Sequence, residues 1–270
     1  MDNKDNYKTI VYEKKGFIAK IRLNLPERRN VVDLDLLKEF KHAITEVKND
    51  KTLRALIITG SGKAFCSGAD LGALTGFAQD SGFEGIAGIR EGVIKIYESL
   101  LMVLNVEIPT IASINGYTIG AGVGLALACD IRIASDVAKF STNFANLGIH
   151  PGMAITYMLP LFIGRGRACD MLFTGRMIDA AEAERIGLVE KVVPADTLDK
   201  ETFNLAETIS LSAPYVLRLA KKAVYKGINF SPQSGMEYES VAQTLCSQMG
   251  DAEEGIKAFF EKRKPEFKGK

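Results

Sequence analysis

The feature that most limits what this chain can fold into is a repeated succession of apolar run, glycine turn and apolar segment. Leu53 to Thr59 (LRALIIT) is a compact apolar run ended by Gly60-Ser61-Gly62, and Thr110 to Ile114 is a second. Runs without polar alternation suit strands covered on both faces, as in a parallel sheet. The first leads on to Gly68-Ala69-Asp70, the second to Gly120-Ala121-Gly122-Val123-Gly124 and then Leu125 to Cys129. Strand, tight turn and helix occurring twice is the βα pattern of an α/β core.

The flanking segments agree with that class. Thr9 to Tyr12 and Phe17 to Leu23 read as a hairpin, broken after Leu23 by Asn24-Leu25-Pro26-Glu27. Asp33 is placed to cap a helix whose apolar residues Leu36, Leu37, Phe40, Ile44 and Val47 recur at steps of three and four. Ile86 to Leu104 reads as a longer helix, and Ile131 to Ala134 and Lys139 to Ser141 as short strands. Asp179 to Gly187 reads as a helix capped at both ends, and Leu188 to Val193 as a last strand. From about Thr197 only helices are expected: Leu205 to Leu211, Tyr215 to Tyr225, Gly235 to Met249 and Ala252 to Arg263. The expected division is a mixed core over residues 1–196 and a helical C-terminal region over 197–270.

Composition narrows the partners. With 47% hydrophobic and 25% charged residues, the 270-residue chain has the balance of an ordinary globular protein. Lys plus Arg number 34 against 33 Asp plus Glu, so there is no basic footprint for nucleic acid or an anionic membrane. Cys66, Cys129, Cys169 and Cys246 are too scattered for structural zinc or a redox pair, and no metal site is expected. The polar start MDNKDNYKTI is unlike a signal peptide, and no run is long and apolar enough to span a bilayer. A reduced, cytoplasmic location is the expectation.

Chemistry is sought first at the glycine turns. Residues at a helix N-terminus have unpaired N–H groups and lie at the positive end of the helix dipole. Two such ends on one cavity would grip a carbonyl oxygen as it gains negative charge. Glycines that only permit tight turns and close packing would show the same spacing, so both readings stand at this point. Gly60-Ser61-Gly62-Lys63 lacks the upstream glycine of a phosphate-binding loop and is followed by Ala64. Gly120 to Gly124 is one residue short of the dinucleotide fingerprint, which keeps a dehydrogenase as the rival. Of the two histidines, His42 falls on the polar side of the first helix, and His150, in Gly148-Ile149-His150-Pro151-Gly152, is the better acid–base candidate.

At these residues the chain resembles the enoyl-CoA hydratase/isomerase, or crotonase, family. Gly62-Lys-Ala-Phe-Cys-Ser-Gly-Ala-Asp-Leu71 resembles that family's first oxyanion segment, and Ile114-Asn-Gly-Tyr-Thr-Ile-Gly-Ala-Gly-Val-Gly-Leu125 the second. The similarity runs on through Phe173-Thr-Gly-Arg-Met-Ile-Asp-Ala-Ala-Glu-Ala to Gly255-Ile-Lys-Ala-Phe-Phe-Glu-Lys-Arg263. The resemblance implies a fold of repeated ββα units with a helical C-terminal region, assembly as a trimer or a dimer of trimers, and acyl-CoA as substrate with no further cofactor. It implies that the N–H groups of Ala69 and Ala121 form the oxyanion hole, with Ser67, Gly68, Asp70, Leu71 and Gly120 around the substrate. Arg28 and Arg29 match the stretch that borders the CoA phosphates, and Phe259 and Lys262 match C-terminal residues that reach a neighbour's CoA.

One departure bears on the reaction. Hydratases of the family activate water with two glutamates, and the matching positions here are Gly124 and Phe144. The acid that isomerases often place after the proline of the next turn is Gly152. The resemblance therefore implies an acyl-CoA enzyme that stabilises a thioester enolate with a displaced base, and the candidates are His150, Tyr97 and Glu91. Hydrolysis, decarboxylation and carbon–carbon cleavage are the alternatives on the same fold, and a catalytically weak acyl-CoA-binding protein is the alternative of another class. Phe144 makes its side of the pocket apolar, which suits a bulky acyl group or a reaction that excludes water.

Overall fold

The computed structural model describes residues 7–70, 85–227 and 229–270. Its strands form two sheets. β1 (Ile10–Lys15) and β2 (Ile18–Leu23) pair antiparallel, and β3 (Ala55–Gly60), β5 (Thr110–Ile114), β7 (Ile131–Ser135) and β10 (Lys191–Val193) extend the sheet in parallel, in the order β1-β2-β3-β5-β7-β10. The second sheet holds β4 (Ala64–Cys66), β6 (Tyr117–Ile119), β8 (Lys139–Ser141) and β9 (Met177–Asp179) in that order. Each of the successive pairs β3-β4, β5-β6 and β7-β8 thus gives one strand to each sheet, which is the expected repeat of ββ units.

The helices are α1 (Leu34–Asn49), α2 (Gly85–Leu101), α3 (Ala121–Leu127), α4 (Ile155–Ile163), α5 (Arg165–Thr174), α6 (Ala180–Ile186), α7 (Leu198–Ser210), α8 (Pro214–Gly227), α9 (Pro232–Ser247) and α10 (Gly250–Glu261). α1 begins where Asp33 predicts: the Leu36 N–H donates to its carboxylate at 3.0 Å, and Leu36, Leu37, Phe40, Ile44 and Val47 are all buried. α6 is capped by Asp179, which accepts from the Glu182 N–H at 2.8 Å, and closed by Gly187 at φ +83°. The strand expected from Leu188 shrinks to Lys191–Val193 because the Leu188 and Val189 N–H groups fold back onto the Ala183 carbonyl. None of the described helices is long and apolar enough to cross a membrane.

The large core lies between the sheets and under α1. A second cluster covers the other face of the six-stranded sheet, where Ile18, Ala55, Ile57, Ile111 and Ile133 pack on Leu198 and Ala206 of α7. The first helix of the 197–270 region therefore completes the core. Beyond it, α8 and α9 have no fully buried residue among those described. Polar ties at α8 and at the chain's end add to the half-buried side chains of α8. Lys221 pairs with Asp130 at 2.7 Å, the Tyr225 hydroxyl donates to Asp130 at 2.6 Å, and Arg54 donates to the carbonyls of Ser210 and Phe267 at 2.9 and 2.6 Å. On α10, Ile256, Phe259 and Phe260 are exposed.

Two expectations follow. Burial pushes the thiols of Cys66 and Cys129 up to about 12, so a thiol reagent near neutral pH should titrate at most two of the four cysteines in the native protein and all four in guanidinium. A Cβ at Gly122 would stand 2.2 Å from the Cys66 carbonyl oxygen, so Gly122→Ala should lower stability in urea unfolding by ~1–3 kcal/mol.

Candidate active site

The site begins with how two turns are held together. Asn30, fully buried at φ +54°, accepts from the Leu25 N–H at 2.9 Å and donates to the Ser61 and Ala64 carbonyls at 2.9 and 2.7 Å. Asn115 donates to the Gly62 and Ala64 carbonyls at 3.0 and 3.2 Å and accepts from the Gly60 N–H at 3.1 Å. These two amides fix the approach to β4. After β4 the chain turns at Gly68, φ +100°, where a Cβ would lie 3.1 Å from the Ile119 carbonyl oxygen and 3.7 Å from the Ala121 nitrogen. The second turn passes through Gly120 at φ +52°, and α3 then starts at Ala121. Both positions favour glycine because φ is positive there, and at Gly68 the two turns also approach closely.

Ala121 is the first residue of α3, whose opening N–H groups have no partner within the helix. Ala69 bridges Val32, with Val32 N–H bonded to Gly68 O and Asp70 N–H to Val32 O, which leaves the Ala69 N–H facing away. Among the described residues neither the Ala69 nor the Ala121 N–H donates to a protein acceptor. Both alanines line one cavity of about 460 Å³ together with Ser67, Gly68, Gly120 and residues of α2, the β8–α4 connection and β6.

The walls of that cavity are largely apolar. Ile89, Val93, Ile96 and Tyr97 come from α2, and Phe144, Leu147, Ile149 and Met153 from the connection. No carboxylate is among the described lining residues. The space beside two of the glycines is filled. A Cβ at Gly124 would stand 2.4 Å from the Met153 Cβ, and one at Gly152 would stand 2.1 Å from the Tyr97 hydroxyl oxygen. Met153 is buried and lies at φ +58°, next to Ala154 at φ +51°. Two successive residues in the left-handed region are a strained arrangement for side chains with a Cβ. Phe144 packs on the second turn, its ring 3.5 Å from a Cβ at Gly120.

The remaining candidates separate. Tyr97 is half-buried at the cavity, and that burial pushes its phenol above the ordinary tyrosine value, with the Met153 backbone N–H acting the other way. His150 is exposed at the rim, and its Nδ1 donates to the Pro151 carbonyl at 2.7 Å, which leaves Nε2 as the acceptor. Glu91 does not line the cavity and pairs with Arg90 at 2.9 Å. Arg28 pairs with Asp33 at 2.6 Å and Asp70 at 2.7 Å, while exposed Arg29 lies over the Tyr117 ring. Phe259 and Lys262 are exposed on or just after α10, away from this cavity. Leu71 lies outside the described residues. His42 is exposed and bonded to the Tyr7 hydroxyl at 2.7 Å.

Sequence reasoning passed over Met153 and the α2 stripe. The stripe was readable, since Ile89, Val93, Ile96 and Tyr97 keep a helical spacing. Nothing local marks Met153, because its role depends on a glycine 29 positions earlier in the chain.

Known proteins place this geometry in a family. The sequence profile of the family described as Enoyl-CoA hydratase/isomerase matches residues 13–270. A crotonyl-CoA hydratase of Syntrophomonas wolfei is 37% identical over 97% of this chain and 98% of its own. A short-chain-enoyl-CoA hydratase of Clostridium acetobutylicum is 36% identical over 95% and 96%. The crystal structure of an enoyl-CoA hydratase from Bacillus anthracis superposes with a TM-score of 0.91 at 37% identity, covering 97% of this chain and all of that one. With the family profile matched over residues 13–270 and its architecture and nearly its whole length shared with the Bacillus anthracis structure, the chain belongs to the enoyl-CoA hydratase/isomerase family.

Proposed function

We propose that this protein transforms an acyl-CoA thioester through an enolate held by the Ala69 and Ala121 N–H groups, with the Tyr97 hydroxyl delivering the proton that quenches it. The observation that carries the reading is the pairing, on one mainly apolar cavity, of two N–H groups with no acceptor among the described residues and a phenol whose pKa burial raises. A negative oxygen gains most from fixed donors where water is scarce. A protonated phenol is a donor rather than a base. It best serves a reaction in which the enolate arises by loss of a group other than a proton, such as decarboxylation or carbon–carbon cleavage. The bond from the α-carbon to the departing group breaks, its electron pair passes to the thioester oxygen, the α-carbon takes the Tyr97 proton, and solvent restores that proton.

Hydration by the usual glutamate pair finds no support at Gly124 and Phe144. The free Nε2 of His150 is the one feature that favours water activation from the rim. The exposed Ile256, Phe259 and Phe260 support a self-assembled oligomer that covers them, with Phe259 and Lys262 near a neighbour's ligand. Arg29, exposed beside the first turn, is better placed than the doubly paired Arg28 to meet the CoA phosphates.

The test is mass spectrometry of malonyl-CoA and crotonyl-CoA incubated with the protein in deuterated, heavy-oxygen water. Deuterated acetyl-CoA from malonyl-CoA is the expected product. Oxygen label in hydroxybutanoyl-CoA would move the assignment to His150 and hydration, and tight binding of both esters without turnover would favour the binding-protein alternative. Proline at Ala69 or Ala121 removes the donor, and either variant, folded by circular dichroism, should lose ~10²–10³-fold in rate.

Tyr97→Phe should cost ~10²-fold while leaving acyl-CoA affinity within about twofold. The wild-type rate should stay level from neutral pH to about 10, the ordinary tyrosine value, and fall only above it, because the active form is the neutral phenol and its pKa is raised. A fall beginning near pH 7 would exclude Tyr97 as the donor.

A further inference from the structure

A second cavity, of about 790 Å³, lies between α1 and α2, and Tyr97 lines it as well as the cavity described above. Its apolar surface comes from Leu34 and Leu37 of α1, Ile94 and Leu101 of α2, and Met102 and Leu104 of the turn that follows. Lys38 and Lys41 of α1 and Lys95 of α2 complete it, with Glu98 the carboxylate among the described lining residues. The lysines that form ion pairs among the described residues are Lys14, Lys20, Lys191 and Lys221. Lys38, Lys41 and Lys95 are not among them. An apolar channel bordered by three unpaired cations and one carboxylate is shaped for an apolar chain with an anionic end.

We infer that this groove holds the far part of a long acyl chain ending in a carboxylate, which passes Tyr97 from the thioester cavity and is met by Lys38, Lys41 and Lys95. The inference rests on the acyl-CoA reading and names the substrate class within it. From Tyr97 to Leu104 the α2 segment and its turn span about 10 Å, so a long acyl chain follows the groove where a short one stays near Tyr97. Charged heads at the rim keep their hydration while their stems line the channel, as long cationic side chains do.

Titration calorimetry of the full chain with butanoyl-CoA, hexadecanoyl-CoA and hexadecanedioyl-CoA tests this without relying on turnover. The expected order places hexadecanedioyl-CoA about tenfold tighter than hexadecanoyl-CoA. In the exposed triple variant Lys38→Gln/Lys41→Gln/Lys95→Gln that advantage should vanish, with butanoyl-CoA affinity unchanged. Leu104→Glu, at a partly exposed site, should do the same by setting a like charge in the groove. Equal affinity for the two long esters in the wild type, or an equal loss for all three esters in the variants, overturns the inference. If none of the esters binds, the acyl-CoA reading itself fails, and free hexadecanedioic acid decides the groove. Saturable binding that the triple variant loses upholds it, and no binding overturns it.

Discussion

The contact between the N-terminus of α3 and the end of β4 is the constraint on which the site depends. At Gly122 a helix backbone lies so close to the Cys66 carbonyl that a single methyl group has no room. That approach brings a turn from one ββ unit against a turn from the next, so two N–H groups separated by about fifty residues open on the same space. The Asn30 and Asn115 amides hold the other side of the junction by satisfying carbonyls that a turn cannot pair for itself. Except for the exposed bond from Asn115 to the Gly62 carbonyl, these hydrogen bonds are buried or partly buried, where an unmade one costs most.

The apolar lining of the cavity comes from compensation between distant residues. Glycine at positions 124 and 152 leaves space that Met153 and Tyr97 occupy, so what the backbone gives up in side chain is returned as a sulfur-bearing chain and a phenol. A larger residue at either glycine meets an occupied position rather than a void. The family relationship fixes the scaffold, and these side chains shape the cavity that it carries. Proteins named as hydratases share over a third of this sequence, yet the lining that decides how water behaves is set by a handful of side chains.

How much of this was legible follows from range. Elements governed by local rules were read correctly: Asp33 and Asp179 cap their helices, Gly187 closes one, and the apolar runs at 55–60 and 110–114 are buried parallel strands. β4, β6 and β9 were not foreseen, since three residues carry no alternation to recognise. Gly68 and Gly120 lie in turns as expected, but Ala121 to Gly124, expected in the second turn, are the first residues of α3, whose helix was expected only from Leu125; that the two turns meet is a consequence of the sheet order, which no spacing states. Glu91 and Tyr97 share a helix, and the helix's rotation separates the residue at the cavity from the one paired with Arg90. The filling of Gly124 by Met153 was illegible for the same reason: it is a relation between two folded segments.

The polar ties of the C-terminal helices have a consequence for how the molecule comes apart. α7 is bound to the sheet by buried apolar surface, whereas α8 reaches the core through the Asp130 contacts of Lys221 and Tyr225, and the chain's end is tied to Arg54. The Lys221–Asp130 pair is largely buried, so salt screens it little, but it fixes α8 at a point, whereas α7 is fixed along a face. The chain thus carries a seam between Ser210 and Pro214, with a lightly attached unit on one side and a core helix on the other. Amide protons beyond the seam exchange by opening that segment alone, and those before it wait for the sheet to unfold.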